Sequence, residues 1–187
     1  AAEREIIEEA YAGDIIGVFD PGIFSIGDTL CTAAHKFQFD PIPTFAPEHF
    51  RRVRPLDTMK RKQFLKGMEQ IAQEGAIQIF KTPYSGMEEV IVGVVGTLQF
   101  DVLEYRLKNE YGVDLYAEGL PYEYLRWLHH EGEEPLRSED LTLPGDAMLV
   151  EDYRQNQLLL FASQWSINWT AERNKSITLS EFGGAKF

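Results

Sequence analysis

One stretch, residues 90–115, constrains the fold of this chain more than any other. It reads VIVGVVGTLQFDVLEYRLKNEYGVDL. Residues 90–95 are a short apolar run rich in β-branched side chains, which favours a buried strand over a helix. Gly96 ends this run, and apolar residues then recur at helical spacing until a second β-rich run at residues 113–115. The stretch therefore predicts a strand, a helix and a second strand.

The predicted helix has one apolar face. Its members recur at i, i+3, i+7 and i+11 and are Phe100, Leu103, Leu107 and Tyr111. Thr97 is placed to cap the N-terminus of the helix, and Gly112 lies where a left-handed residue would end it. A helix with one apolar face must pack against another layer of structure.

The residues before this stretch supply that layer. Residues 58–74 have a second apolar face at helical spacing, and residues 50–53 and 76–80 favour strands. The predicted order is strand, helix, strand, strand, helix, strand. This is the split βαβ, ferredoxin-like arrangement, in which two helices cover one face of an antiparallel sheet. The fold class is therefore α+β.

The remaining sequence predicts further elements on both sides of this unit. Downstream we expect extra C-terminal strands at residues 122–128, 147–150, 157–161 and 177–182 and a short helix at 136–141. Residues 163–174 fit both the alternation of a strand and helical spacing, and we favour a helix. Upstream, short strands at residues 15–19, 23–26 and 29–31 suggest a small β-barrel. A barrel must close to remove its edges, and these strands are about half the number needed.

Charge is unevenly distributed along the chain. The net charge of −12 argues against a protein that binds nucleic acid over its whole surface, and we expect no DNA partner. Six of the 18 basic residues nevertheless fall within twelve positions, with Asp57 as the only acid among them: Arg51, Arg52, Arg54, Lys60, Arg61 and Lys62. This cluster is either a solvated strand edge and helix face or a contact surface.

The sequence predicts no catalytic residue and no cofactor or metal site. It lacks the G-x-x-x-x-G-K-[ST] pattern that cradles phosphates and the G-x-S-x-G pattern of a nucleophile elbow. The D-x-x-G pattern that begins at Asp14 favours a turn, because no phosphate loop accompanies it. Adjacent side chains such as His129 and His130 point in divergent directions and rarely share a metal ion, so an exposed polar loop is the better interpretation.

Two further features bear on partners and location. Aromatic residues near the C-terminal strands suggest either core packing, which we favour, or a platform on which unpaired bases stack: Tyr122, Tyr124, Trp127, Trp165 and Trp169. No apolar run approaches the roughly 18 residues of a membrane span, so no membrane partner is expected. The single cysteine, Cys31, cannot form an internal disulfide, which favours a reducing, cytoplasmic location.

Several segments together resemble a known family. Residues 8–30, EEAYAGDIIGVFDPGIFSIGDTL, are similar to the second half of the β-barrel domain of translational GTPases. The next segments narrow the resemblance to bacterial peptide chain release factor three, the class-II release-factor GTPases: FAPEHFRRVRPLD (45–57), KQFLKGMEQIAQEGAIQIF (62–80) and IVGVVGTLQFDVLEYRLKNEYGV (91–113).

This resemblance implies a C-terminal fragment that lacks the G domain. Residues 1–44 would be the second half of the barrel domain, and residues 45–187 the release-factor C-terminal α+β domain. The parent would bind GTP and magnesium, hydrolyse GTP on the ribosome and recycle class-I release factors, but no residue here would carry that hydrolysis. The basic cluster would contact RNA and proteins of the small ribosomal subunit. The alternative is the equivalent fragment of another translational GTPase such as elongation factor G.

Overall fold

The computed structural model describes residues 6–19, 21, 23–24, 27–39, 45–83 and 90–181. Within these ranges eight strands form one sheet whose seven pairings are all antiparallel. The strands are β1 (His49–Pro55), β2 (Gln78–Lys81), β3 (Val90–Val94), β4 (Leu115–Leu120), β5 (Tyr124–His130), β6 (Ala147–Asp152), β7 (Gln157–Phe161) and β8 (Ile177–Ser180). The helices are α1 (Arg61–Gln73), α2 (Leu98–Tyr111) and α3 (Gln164–Arg173). The α+β class predicted from the sequence is confirmed.

The first half of the sheet has the strand order β4-β1-β3-β2, and α1 and α2 lie on one of its faces. The predicted succession of strand, helix, strand, strand, helix and strand is observed in this half. Val53, Val90, Val92 and Val94 point toward the helices, where they contact Phe64, Met68, Ile71, Phe100, Leu103 and Leu107. Because side chains alternate along a strand, Ile91 points to the other face.

The second half has the order β6-β7-β5-β8 and carries α3. All five residues of β7 are buried. Leu159 and Phe161 pack on the side of α3 with Ile167, while Leu158 and Leu160 pack on the opposite side. A strand buried on both faces has a continuous apolar run, which β3 shows over its length and β7 shows from Leu158 to Phe161.

The two halves share an apolar layer. Phe50, Phe80 and Ile91 of the first half contact residues of the second half, namely Leu125, Trp127, Val150, Leu158 and Leu160. The sheet also continues from one half to the other, but only through the two residue pairs Phe80–Asp152 and Lys81–Glu151. The layers are therefore, in order, helices α1 and α2, the first half-sheet, the second half-sheet and helix α3.

The ends of the predicted elements differ in detail from the structure. Gly112 adopts the left-handed conformation with a φ of 65° and ends α2, as predicted. Thr97 does not cap this helix with its side chain. The side-chain oxygen of Gln99 instead accepts the backbone N–H groups of Val95 and Gly96, just before the helix, each at 3.0 Å. A polar side chain inside the first turn can reach back to these donors.

Other boundaries shift by a few residues. The predicted helix at 58–74 begins with a short 3-10 turn, Thr58–Lys60, before α1. The strand predicted at 113–115 starts at Leu115 and runs on as β4, because the Val113 N–H donates to the Leu107 carbonyl at 3.0 Å and closes the end of α2. The short helix predicted at 136–141 is a single 3-10 turn, Ser138–Asp140.

The barrel strands predicted near the N-terminus are not confirmed. The described residues within 6–39 form turns and irregular segments and contain no strand, so the strands predicted at 15–19 and 29–31 are wrong for this structure. The strand predicted at 23–26 falls partly outside the described residues. Ile15 and Phe19 are exposed. A strand needs a neighbour for its backbone hydrogen bonds, and the described residues supply none here.

We predict that Gly93→Ala destabilises the fold. A Cβ at this position in β3 would lie 2.7 Å from Pro47 Cγ and 2.9 Å from Phe80 Cε2, and these ring atoms cannot move away cheaply. Overpacking of this kind costs about 1–3 kcal/mol. The free energy of unfolding in urea measures the cost. Gly119→Ala in β4 is the matched control, since nothing lies within 4 Å of its Cβ position. Equal stability of the two variants would contradict the prediction.

Candidate functional site

The arginines of β1 lie on opposite faces of the sheet. Arg51 lies on the face that carries the helices, with its guanidinium 4.3 Å from the centre of the Phe100 ring. Arg52 and Arg54 lie on the other face, as the alternation of side chains along a strand requires. The strand itself is not an edge, because β1 is paired on both sides, with β3 and β4. The sequence cluster of arginines therefore does not form one continuous surface.

Arg52 and Arg54 are held by residues directly opposite them on β4. Arg52 pairs with Glu118, with Nη1 and Oε2 separated by 3.4 Å. Arg54 lies over the ring of Tyr116, with a distance of 4.5 Å to its centre. The ion pair is exposed and adds little stability. The main effect of this ion pair is to orient Arg52, while the Tyr116 ring fixes the position of the half-buried Arg54 side chain.

The other three predicted residues lie where the chain turns from β1 into α1. Lys60 donates a hydrogen bond from Nζ to the carbonyl oxygen of Gly112, at the C-terminus of α2. Arg61 and Lys62 form the exposed first turn of α1. Lys60 therefore has a structural function, since it satisfies a carbonyl group that the helix leaves free and its charge complements the helix dipole.

One end of the first half-sheet brings most of these residues together. The end of β1, the start of α1, the end of α2 and the start of β4 all meet there. We call this end of the half-sheet the basic end and define it by its cationic side chains: Arg54, Lys60, Arg61, Lys62 and Lys108. Arg54 lies on the face away from the helices, and the carboxylates of Asp57 and Asp114 belong to the same end. Lys108 of α2 is exposed and lies 3.2 Å from Asp114. Of the six predicted residues, four belong to the basic end. Arg51 and Arg52 lie nearer the start of β1.

Sequence reasoning missed two members of this neighbourhood, Lys108 and Tyr116. Both lie more than fifty positions after Arg54 in the chain, so no local pattern connects them. The predicted topology did contain a signal, because a split βαβ unit places the end of its second helix beside the start of its first.

Asp57 caps the 3-10 turn that leads into α1 by accepting the N–H of Met59 at 2.9 Å, and basic residues follow it. Negative side chains are favourable at a helix N-terminus and positive ones are unfavourable. The first turn of α1 contains Arg61 and Lys62 and no acidic residue. Asp57 supplies the favourable negative charge, and Arg61 and Lys62 add nothing to the stability of this helix end.

A charged clamp fixes α2 against the end of α1. Arg106 contacts Glu110 through two hydrogen bonds of 2.8 and 2.9 Å, and it also pairs with Glu74, the residue that follows α1. The hydrogen bond from Arg106 lowers the pKa of the Glu110 carboxyl. The same carboxylates raise the pKa of Arg106 above its already high value. The clamp holds the two helices in a fixed relation.

An open cleft of about 860 Å³ lies between β1 and the connection from β4 to β5. Its polar lining mixes both signs of charge. Arg126 forms an ion pair of 2.9 Å with Glu181 there. Burial raises the pKa of the Tyr122 hydroxyl, and the charge of Arg52 partly opposes this rise. No nucleophile paired with a base lines the cleft within the described ranges, so its geometry suggests no reaction.

The remaining candidates from the sequence have structural positions. His129 and His130 belong to β5 and not to a loop, and the ring nitrogen Nε2 of His129 lies 2.9 Å from Ser180 Oγ. Among the residues that the structure describes, no group of three or more His, Cys, Asp or Glu could hold a metal ion. Asp14 closes a turn by accepting the N–H of Tyr11 at 2.8 Å. Cys31 is exposed with a free thiol.

The aromatic residues divide between core and surface. Trp127 is buried in the layer shared by the two half-sheets, and Tyr122 and Tyr124 pack against core clusters. Core packing is therefore correct for these three. Trp165 is exposed on α3, with its ring centre 6.2 Å from that of Trp169. None of the described helices is long and apolar enough to cross a bilayer.

Comparison with known sequences identifies the family. Residues 39–171 match the family described as class II release factor RF3, C-terminal domain. The chain belongs to this family.

Individual relatives agree with the family match. The chain is 49% identical over 177 residues to peptide chain release factor 3 of Symbiobacterium thermophilum, covering 95% of this chain and 33% of the relative. It is 40% identical over 179 residues to peptide chain release factor 3 of Macrococcus caseolyticus, covering 96% of this chain and 33% of the relative. The protein of the same name from Streptococcus uberis is 38% identical over 181 residues, covering 97% and 34%.

These matches bear on what was expected from the sequence. The resemblance to class-II release factors is confirmed, and the elongation factor alternative is not favoured. The chain spans about a third of the length of the curated relatives it matches. The division at residues 44 and 45 and the contact function of the basic residues stay predictions.

We predict that Lys60→Met weakens the fold while Lys62→Met does not. The first substitution removes the donor at the C-terminus of α2 and a favourable charge near its dipole, worth about 0.3–1 kcal/mol. The second changes an exposed residue and keeps the same stem. Urea unfolding of both variants measures the difference. If both variants were as stable as the wild type, Lys60 would not stabilise α2.

A second prediction concerns the clamp. Because the pKa of Glu110 is lower in the folded protein than in the unfolded chain, its ionised form stabilises the fold. This contribution is present above the unfolded pKa and is lost as the pH falls through the folded pKa. Glu110→Gln should therefore lower stability at pH 7, and the difference from the wild type should vanish in acid. Unfolding in urea across this pH range measures both. A difference that does not depend on pH would contradict this explanation.

Proposed function

We propose that this chain is the ribosome-binding C-terminal part of a translation-termination GTPase that promotes release and recycling of class-I release factors after peptide release. The observation that carries the proposal is the basic end, on a chain of net charge −12 that belongs to a release-factor family. A protein this acidic gains nothing in solubility from a concentrated cationic surface. A surface of this kind is suited to a polyanionic partner.

Ribosomal RNA is the partner that this chemistry fits. Arg and Lys side chains bind phosphate oxygens through charge-assisted hydrogen bonds, and such contacts position a protein without reading sequence. The aromatic ring of Tyr116 holds the Arg54 guanidinium in place, which reduces the entropy lost when it binds a phosphate.

The proposal extends to the organisation of the longer protein. We assign the first four strands and two helices to a ferredoxin-like unit, and residues 1–44 to the second half of a β-barrel domain. GTP and magnesium would bind elsewhere in such a protein, and we assign GTP hydrolysis to no residue of this chain. A bacterial cytoplasmic location follows from this function.

Reversing charge at the basic end should weaken ribosome binding. The test uses the triple variant Arg54→Glu, Arg61→Glu, Lys62→Glu, in co-sedimentation with 70S ribosomes at several salt concentrations. We expect a loss of affinity of at least about tenfold at low salt. The slope of log affinity against log salt should become shallower by roughly 0.7–0.9 for each phosphate contact removed.

A matched control reverses the same amount of charge elsewhere. Lys36, Arg154 and Lys175 are exposed and lie outside the basic end. Their triple reversal to glutamate should leave most of the binding intact. The proposal is wrong if both triple variants bind ribosomes as the wild type does, or if the wild-type chain does not bind ribosomes at any salt concentration.

A further inference from the structure

Helix α2 has a second apolar face that points to solvent. Leu98, Val102 and Tyr105 recur at i, i+4 and i+7 and are 74%, 46% and 69% exposed. They lie on the side of α2 opposite Phe100, Leu103 and Leu107, which pack onto the sheet. Val95, just before the helix, is 50% exposed. We call Val95, Leu98, Val102 and Tyr105 the outer face of α2.

An outer face of this kind is unusual on a surface helix. Such a helix normally carries polar residues opposite its buried stripe, and a helix that is apolar on both sides is normally buried on both. Scattered exposed apolar residues need no explanation, but a contiguous stripe marks an interaction site. The outer face therefore needs a covering partner.

The outer face is also rigid. Gln99 binds the backbone before α2 through its side-chain oxygen and donates to the carbonyl of Ala76 at 2.8 Å. Arg106 ties the C-terminal part of the helix to Glu74 and Glu110. A preformed face loses little conformational freedom on binding.

Charge around the outer face selects the partner. Asp101 is exposed directly beside the stripe, three residues after Leu98, and Glu104 is exposed one turn farther along the same flank. Lys108 on this flank is offset by Asp114 at 3.2 Å, and Arg106 on the other flank pairs with two carboxylates, so the surroundings of the stripe carry net negative charge. Negative charge repels RNA phosphates, and a second copy of this acidic chain would bring like charges together. A basic protein surface with apolar anchor residues can contact both the apolar outer face and the acidic residues beside it.

We propose that the outer face of α2 binds a basic protein. The inference rests on the proposed function in one respect, since ribosomal proteins are the source of basic surface that a ribosome-binding domain would meet. According to this inference the domain has two contact surfaces. The basic end binds RNA phosphate, and the outer face of α2 binds a basic protein.

A photo-crosslinker at position 105 tests the identity of the partner. Tyr105→p-benzoylphenylalanine replaces one exposed aromatic side chain by another. The full chain is irradiated with 70S ribosomes, and separately with ribosomal proteins freed of RNA. We expect an adduct that resists ribonuclease, is destroyed by protease, and contains a protein of basic isoelectric point by mass spectrometry. An adduct to RNA, or to a second copy of this chain, would overturn the inference.

Affinity measurements with matched variants test the chemistry. Leu98→Ser with Val102→Ser should weaken binding to the RNA-free ribosomal proteins by at least about tenfold. Trp165→Ser removes an exposed apolar residue from α3 and should have no effect. Glu104→Lys should weaken binding to a basic protein, whereas it would strengthen binding to RNA. Thermal unfolding of each variant checks that the fold is intact.

The outcomes separate this inference from the proposed function. If the wild-type chain co-sediments with ribosomes and the α2 variants bind equally well, the proposed function stands and the inference is wrong. If the chain crosslinks to a basic protein but never co-sediments with ribosomes, the proposed function is wrong and the inference stands. If neither binding nor a crosslink is detected, both are wrong.

Discussion

The fold depends on burying both faces of its two central strands. All five residues of β3 and all five of β7 are buried, so each strand needs cover on both sides. Helices cover one side of each strand, and the two half-sheets cover each other on the remaining side, where Ile91 and Leu158 meet in one core. Because the two half-sheets pack against each other, the basic end and the outer face of α2 remain at the surface. Burial inside the sheet thus decides which charged and apolar groups can meet a partner.

Much of this architecture follows from local sequence. The succession of elements from β1 to β4 was predictable because β3 and the inner faces of α1 and α2 have unambiguous periodicity, and because Gly112 can end a helix cheaply. Element ends were less predictable, since Thr97 is a residue type that often caps helices but has a helical backbone conformation here and makes no capping hydrogen bond. The packing of one half-sheet on the other has no local signal at all. It joins Phe50 and Phe80 to residues far along the chain.

The candidate site was predictable in composition but not in geometry. A cluster of basic residues is visible in the sequence, yet alternation along β1 sends Arg51 to one face and Arg52 to the other. Lys60 looks like its neighbours in the sequence and proves to hold the end of α2. The outer face of α2 was not predicted from the sequence for a different reason. The stripe of Phe100, Leu103 and Leu107 alone accounts for an amphipathic helix. The sequence therefore gives no sign that Leu98 and Tyr105 on the opposite side are exposed together.

Each half of the sheet is contiguous in the chain, with β1 to β4 complete before β5 begins. Translation therefore delivers the first half-sheet and both of its helices while its second face, with Phe50, Phe80 and Ile91, still has no cover. That face stays open to water, and to other nascent chains, until β5, β6 and β7 have left the ribosome. During synthesis the first half of the sheet therefore exposes an apolar, aggregation-prone face until the second half has been made and can cover it.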